Sequence, residues 1–294
     1  VTDTRPLKPI TADARRAEIF RLALGNPKVI AGLVILATLL ALGLAAPLLS
    51  GHGPSDYVGP RAEPPSADFW FGTTLFGQDV FVQFANGIRS TYVVGLLAGG
   101  IGALVGMTVG FVAGYRGGVV DEILSMITNV VLVLPAFAVL IILAAYVGID
   151  SVVHQSVFIG AFSWPWVARA VRAQTFSLRS REFVDLARLT GVRPLTIIRT
   201  EIGPNMGSYL LLVFIVLFGG SILTAASLDF LGLGPPGQMS LGLMMNQALQ
   251  SSALVLGIWW WFLPPGIGIV LIVGALYVTN IGLDDVFNPK LRKM

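Results

Sequence analysis

Side chains able to do covalent or metal chemistry are few in this sequence, and they do not converge. There is no cysteine, which excludes thiolate nucleophiles, disulfides and cysteine-ligated metals. His52 and His154 stand far apart with no further ligand at metal-site spacing, and each reads as a solvated or interfacial imidazole. No Gly-Lys pair occurs, so the phosphate loop G-x-x-x-x-G-K-[ST] is absent. No nucleophile has a base at recognisable spacing. Polar chemistry is concentrated instead in Arg181-Glu182-Phe183-Val184-Asp185-Leu186-Ala187-Arg188-Leu189-Thr190-Gly191.

That stretch predicts a short helix, a bend and a second helix. Ser180 is placed to cap the first helix, and Glu182 and Asp185 suit the positive end of its dipole. Phe183, Leu186, Ala187 and Thr190 follow the i, i+3, i+4, i+7 rhythm of an amphipathic helix. Gly191 can end it in a left-handed cap, and Pro194 can begin the next one. Two readings stand on these residues alone. One is an ordinary solvated loop; the other is a small apolar ridge, rimmed by charge, that fits a groove on a soluble partner.

The elements around this stretch are apolar to a degree that soluble domains do not reach: 55% of the chain is hydrophobic and 12% charged. About 20 apolar residues cross a hydrocarbon core of about 30 Å, and six such spans are expected, making an all-α polytopic membrane protein. Residues 1–28 form a tail and 29–49 the first span, too long for the hydrophobic part of a cleavable signal and expected to remain. Residues 50–89, with Pro54, Pro60, Pro64 and Pro65, read as an exported loop. The core, 90–283, holds the other spans at 90–114, 123–147, 152–170, 207–228 and 262–283, and a polar loop at 172–205. Residues 284–294 form the second tail.

Charge orients the bundle. All of the 19 Lys and Arg residues except Arg61 and Arg89 fall on one side of this arrangement, including Arg5, Lys8, Arg15, Arg16, Lys290, Arg292 and Lys293 in the tails. Short basic segments stay in the cytoplasm, so both termini and the polar loop are expected inside. The same parity puts residues 229–261 on the outer face, where Trp259, Trp260 and Trp261 would anchor the last span in the headgroup region. The net charge of +3 then reports topology, and no basic patch interleaved with aromatics suggests nucleic acid.

Within the spans, Gly95, Gly99, Gly102, Gly106, Gly110 and Gly114 offer a close-packing face, static or sliding. Pro135, Pro264 and Pro265 predict kinks. Asp229 falls at the end of the fifth span, and Arg169 and Arg172 at the inner end of the fourth, leaving every span interior uncharged. Ion-coupled carriers usually place charged groups within the membrane. This pattern argues against such a carrier and assigns any energy supply to another polypeptide.

The segment Glu182-x-x-Asp185-Leu186-Ala187-x-x-x-Gly191, followed by Ile198, Ile202, Pro204 and Asn205, resembles the EAA loop of binding-protein-dependent ABC importer permeases. The likeness is to the C-type half of the dipeptide/oligopeptide/nickel permease pair, and it covers residues 20–292. Gly25-Asn26-Pro27, Ala46-Pro47-Leu48, Gly72-Thr73 with Gly77-x-Asp79-Val80, and Ser227-Leu228-Asp229-Phe230-Leu231-Gly232-Leu233-Gly234 match in order. So do Gly242-Leu243-Met244 and Asn288-Pro289-Lys290-Leu291-Arg292. Departures are Asp185 and Leu186 in the loop motif, Ala225 where many relatives carry Glu, and Thr74 and Gln78 for Asp and Arg.

The resemblance implies a non-catalytic permease subunit in the bacterial cytoplasmic membrane, with no cofactor or metal of its own and ATP and Mg on partner ATPases. Glu182, Phe183, Asp185, Leu186, Ala187, Arg188 and Gly191 would form the ATPase-coupling helix. Implied partners are a homologous second permease subunit, one or two ABC ATPases, an extracytoplasmic solute-binding protein and the lipid membrane. Di- or oligopeptides are the cargo implied, with nickel or another metal chelate as the alternative. The substrate pathway has no residue assigned from sequence.

Overall fold

The computed structural model describes residues 21–287, so the tail residues named above, together with the Asn288–Arg292 motif, lie outside the described residues. Nine main helices follow in order: α1 Pro27–Leu49, α2 Val80–Arg116, α3 Gly118–Val133, α4 Ala136–Tyr146, α5 Val152–Arg179, α6 Glu182–Leu189, α7 Gly207–Phe230, α8 Leu241–Gln250 and α9 Trp259–Phe287. Short helical turns over 194–205, with a π-type turn at Ile198–Ile202, connect α6 to α7. The described residues contain no strand beyond one isolated bridge between Thr73 and Asp79.

Four helices, α1, α2, α7 and α9, are long and apolar enough to cross a membrane, and α3 with α4 makes a fifth if that bent pair is one span. The pair turns by 74° at Leu134–Pro135, where proline removes a backbone donor. The count of six from sequence therefore exceeds what length and composition support. α5 falls short although it has 28 residues. Its Gln155, Ser156 and Thr175 are polar but fully buried within the bundle, which lowers hydropathy without exposing polarity.

Several expected boundaries move. α2 begins at Val80 instead of residue 90, because the Asp79 carboxylate accepts from the backbone N–H of Phe81 at 2.8 Å and Val82 at 3.3 Å. Arg89 thus lies inside a helix, and the loop expected at 50–89 ends at Asp79. α5 continues past residue 170 and past the expected start of the polar loop at 172, to Arg179. Two of its arginines are satisfied sideways. Arg172 forms a two-pronged ion pair with Asp121 of α3, one arm at 2.6 Å, and Arg179 donates to the Tyr115 carbonyl at 3.2 Å.

The glycines of α2 make the closest helix seam. A Cβ on Gly106, Gly110 or Gly114 would stand 2.7 Å from the carbonyl oxygen of Trp164, Ala168 or Arg172 on α5, respectively. Each four-residue step on α2 meets a four-residue step on α5, so the two helices run parallel in fixed register. Gly95 and Gly99 serve α7 instead, against Phe218 and Ile222. α1 joins α9 through Asn26, whose Nδ2 donates to the Gly282 carbonyl at 3.1 Å, and through the Lys28–Asp285 pair at 2.8 Å.

At the opposite end, residues 229–261 fold inward. α8 has ten residues, roughly 15 Å, half of what a crossing needs. Leu241, Met244 and Ala248 are buried in the main apolar cluster. Asp229 is buried and accepts from Gln155 Nε2 at 2.6 Å and from the Ser240 hydroxyl at 2.5 Å, tying α5, α7 and the start of α8 together. Gly234 and Gly242 leave room for it; a Cβ on either would meet Asp229 within 3 Å. The tryptophan triplet is not a simple headgroup anchor. Trp261 is fully buried, Trp260 Nε1 donates to the Thr73 carbonyl at 3.1 Å, and Trp259 alone is exposed.

The seam is testable with a paired substitution. Gly110→Ala, overpacked against backbone, should lower the thermal midpoint of the detergent-solubilised chain by an amount equivalent to about 1–3 kcal/mol. Gly100→Ala on the same helix meets nothing within 4 Å and should be neutral or stabilising. Equal melting of the two variants would show that the seam is not tight.

Candidate functional site

α6 sits where α2 ends at Arg116 and α5 ends at Arg179. A helix of eight residues has little stability in water and depends on what it packs against. Val184 is fully buried in the apolar cluster formed by Tyr115, Val171, Ile197, Ile202 and Met206. Phe183 and Ala187 pack partly against the same cluster. Their rigid backing comes from α2, α5 and the turns before α7.

Local chemistry at the two ends differs from expectation at one and agrees at the other. Arg181, not Ser180, occupies the N-cap position, and no side chain caps it. The Ser180 hydroxyl donates backwards to the Ser177 carbonyl at 3.3 Å, because α5 has already run to Arg179. Glu182 and Asp185 do lie in the first turn. At the far end Gly191 has φ +76°, its N–H donates to the Arg188 carbonyl at 3.0 Å, and Val192 N–H donates to Ala187 at 3.1 Å. That closure returns the chain to Pro194, the first residue of the next turn.

The ridge read from sequence is divided by the structure. Phe183 and Ala187 turn inward with Val184, while Leu186 is 64% exposed and Leu189 is 86% exposed. Val192 and Leu195 extend this outward apolar surface beyond the bend. Arg188 lies at its edge, with its guanidinium 5.3 Å from the Tyr115 ring centroid and 3.1 Å from Asp185 Oδ1. Glu182, Asp185, Arg181 and Arg193 are exposed around it. Sequence reasoning missed Leu189 and Tyr115. Two stripes of helical period overlap here, and the period does not say which of them faces the protein.

A second polar locus joins α3 to α5. Beside the Asp121–Arg172 pair, Arg169 Nη2 donates to Asn129 Oδ1 at 2.8 Å. A cavity of about 250 Å³ opens between them, lined by Gly110, Ser125, Thr128, Asn129, Arg169 and Arg172. Reaction chemistry is not assembled at either place. No group of three or more His, Asp or Glu that could hold a metal occurs among the described residues. His52 stands 3.9 Å from Asp79 and His154 3.8 Å from Asp150, each with one acid only.

The family described as binding-protein-dependent transport system inner membrane component matches residues 106–293. The chain is similar to the dipeptide transport system permease protein DppC of Bacillus subtilis, 34% identical over 294 residues, covering 98% of this chain and 88% of that protein. It is similar also to DppC of Alkalihalophilus pseudofirmus, 32% identical over 98% of this chain and 94% of that one. The oligopeptide transport system permease protein OppC of Mycobacterium tuberculosis is 30% identical, covering 96% of this chain and 97% of its own length.

The bend at Gly191 rests on backbone conformation, since a Cβ there would meet nothing within 4 Å. A β-branched residue at positive φ costs roughly 1–2 kcal/mol, whereas Asn tolerates it. Gly191→Val should therefore speed limited proteolysis across 180–195, and Gly191→Asn should stay near the parent rate. Full protection of the valine variant would count against the left-handed closure.

Proposed function

The chain belongs to the binding-protein-dependent transport system inner membrane component family, and from that membership we propose that it is one permease half of an ATP-driven importer of di- and oligopeptides. The observation that carries the reading is α6: a helix fixed on its inner face by Val184 and presenting Leu186 and Leu189 outward within a rim of charge. An apolar ridge with a charged border suits a groove on a soluble protein.

In this reading the ATPases supply the energy and hold ATP and Mg, and this chain is not an enzyme. Leu186 enters the ATPase cleft, Glu182, Asp185 and Arg188 orient it, and Phe183 and Ala187 fix the helix to the bundle. Gly191 sets the angle at which the chain leaves. Motion imposed on α6 reaches α2 through Arg188 and Tyr115, and α2 is locked to α5 by the glycine register. The pair therefore moves as one body when the ATPases close. A second, homologous permease completes the pathway, and a binding protein delivers peptide from outside.

The membrane arrangement proposed has six crossings: α1, α2, α3 with α4, α5, α7 and α9. α5 crosses despite modest hydropathy because its polar residues face α2, α7 and the cavity beside α3. Even parity with the Lys and Arg bias puts α6 and both termini in the bacterial cytoplasm.

The test is recovery of the ATPases with the tagged chain. Replacing Leu186 and Leu189 by Asp should reduce their recovery about thirtyfold, equivalent to one interface hot spot of about 2 kcal/mol. Membrane insertion should be unchanged, and peptide uptake should be lost. Undiminished recovery would remove α6 from the coupling role, and uphill uptake by the purified chain alone would defeat the importer reading.

A further inference from the structure

Arg169 is a charged group to which the proposed mechanism gives no role. α5 carries it ten residues before its end at Arg179, roughly 15 Å along the helix. Its neighbour in the cavity, Arg172, is neutralised by Asp121 on α3. Arg169 has no carboxylate partner among the described residues; what it touches is the neutral amide oxygen of Asn129. A guanidinium has five N–H donors in a planar fork, and one such contact leaves most of them available.

Its surroundings are open and of mixed polarity, with Val109, Ala113 and Leu124 on the apolar side. Ser125, Thr128 and Asn129 of α3 face it across the cavity of about 250 Å³, together with Gly110 of α2. The Arg169 side chain is exposed. A charge at mid-membrane costs about 2.5–3.5 kcal/mol against hydrocarbon, so an arginine on a membrane-crossing helix characteristically faces the bundle interior or a water-filled cavity. The nearest acid on the same side of α3 without an ion-pair partner is Glu122. It opens onto the adjoining groove and lies seven residues before Asn129, roughly 10 Å along the helix. The excess charge inside the cavity itself is positive.

We propose that the α3–α5 cavity lines the translocation pathway and that Arg169 binds the free carboxylate of the peptide in transit. This rests on the peptide-permease reading above. The fork of a guanidinium matches a carboxylate in two parallel hydrogen bonds, which no amide or ester end can reproduce. Asn129 holds the guanidinium on the cavity wall without cancelling its charge. The arrangement supplies grip on any short peptide regardless of side chain, since the terminal carboxylate is common to all of them.

The sequence has no cysteine, so a single reporter can be introduced. Ser125→Cys, half-buried on the cavity wall, would be examined in the complex with the second permease and the ATPases, modification being read by the mass of this chain. With each rate divided by that reagent's rate with a small free thiol in solution, a sulfonate-bearing methanethiosulfonate should react about tenfold faster than its trimethylammonium counterpart. That preference should vanish in Arg169→Gln and persist in Arg169→Lys. A short peptide with a free C-terminus should protect the cysteine, and its C-terminal amide should not, an arm that needs no Arg169 variant.

Absence of reaction with either reagent, or equal rates unaffected by Arg169→Gln, would overturn the proposal. Equal protection by acid and amide would overturn the carboxylate assignment. If reconstituted complex imports no peptide while the anionic preference and its dependence on Arg169 hold, the peptide reading fails and the anion-favouring pathway stands.

Discussion

Contact between two helix backbones governs the position of nearly everything else in this chain. Gly106, Gly110 and Gly114 bring α2 against the carbonyls of Trp164, Ala168 and Arg172 and against the Cβ atoms of Val167, Val171 and Thr175. In lipid there is no water to expel between helices, so association draws on close packing. The seam fixes α2 and α5 in one parallel register. Once that register is set, Tyr115 lies beside Arg179 and Arg188, and Thr175 is buried beneath Gly114. The α6 platform is a consequence of that geometry and not an independent module.

Several polar groups in the bundle are paired across elements. Asp229 accepts from Gln155 and Ser240, Asp121 holds Arg172, and Tyr92 donates to the Leu36 carbonyl at 3.0 Å. Buried polar atoms cost several kcal/mol each if left alone, which explains why these contacts link elements distant in sequence. The α8 end is stiffened by Asp229, and the α6 end by arginines. Arg169 differs from its neighbour Arg172 in that its partner is neutral and it borders open space.

Division of labour within α6 follows from burial. Val184 and its neighbours fix the helix to the bundle, and Leu186 and Leu189 leave an apolar surface facing outward, as the proposed coupling role requires. A coupling element needs both, because a flexible ridge would absorb displacement instead of passing it on. The left-handed Gly191 adds a fixed exit angle through two backbone hydrogen bonds.

Much of this was legible in the chain itself. Apolar runs near 20 residues, the Gly191 and Pro194 punctuation and the four-residue glycine spacing report on local geometry, which sequence encodes directly. The start of α2 at Val80, the continuation of α5 to Arg179 and the inward fold of α8 were not legible. The last two depend on partners in other elements, Asp121 for Arg172 and Asp229 for Ser240, whereas the start of α2 is a local cap by Asp79 that hydropathy does not mark. Period alone gave α6 its apolar stripes; only packing decided that Val184 faces in and Leu189 out. The chain by itself determined a helical membrane protein with one charged, amphipathic stretch, since composition and short-range spacing suffice for that. Tertiary structure decided which side of that stretch is free and that Arg169 borders a cavity with a neutral partner, because both are properties of neighbours and not of the residue.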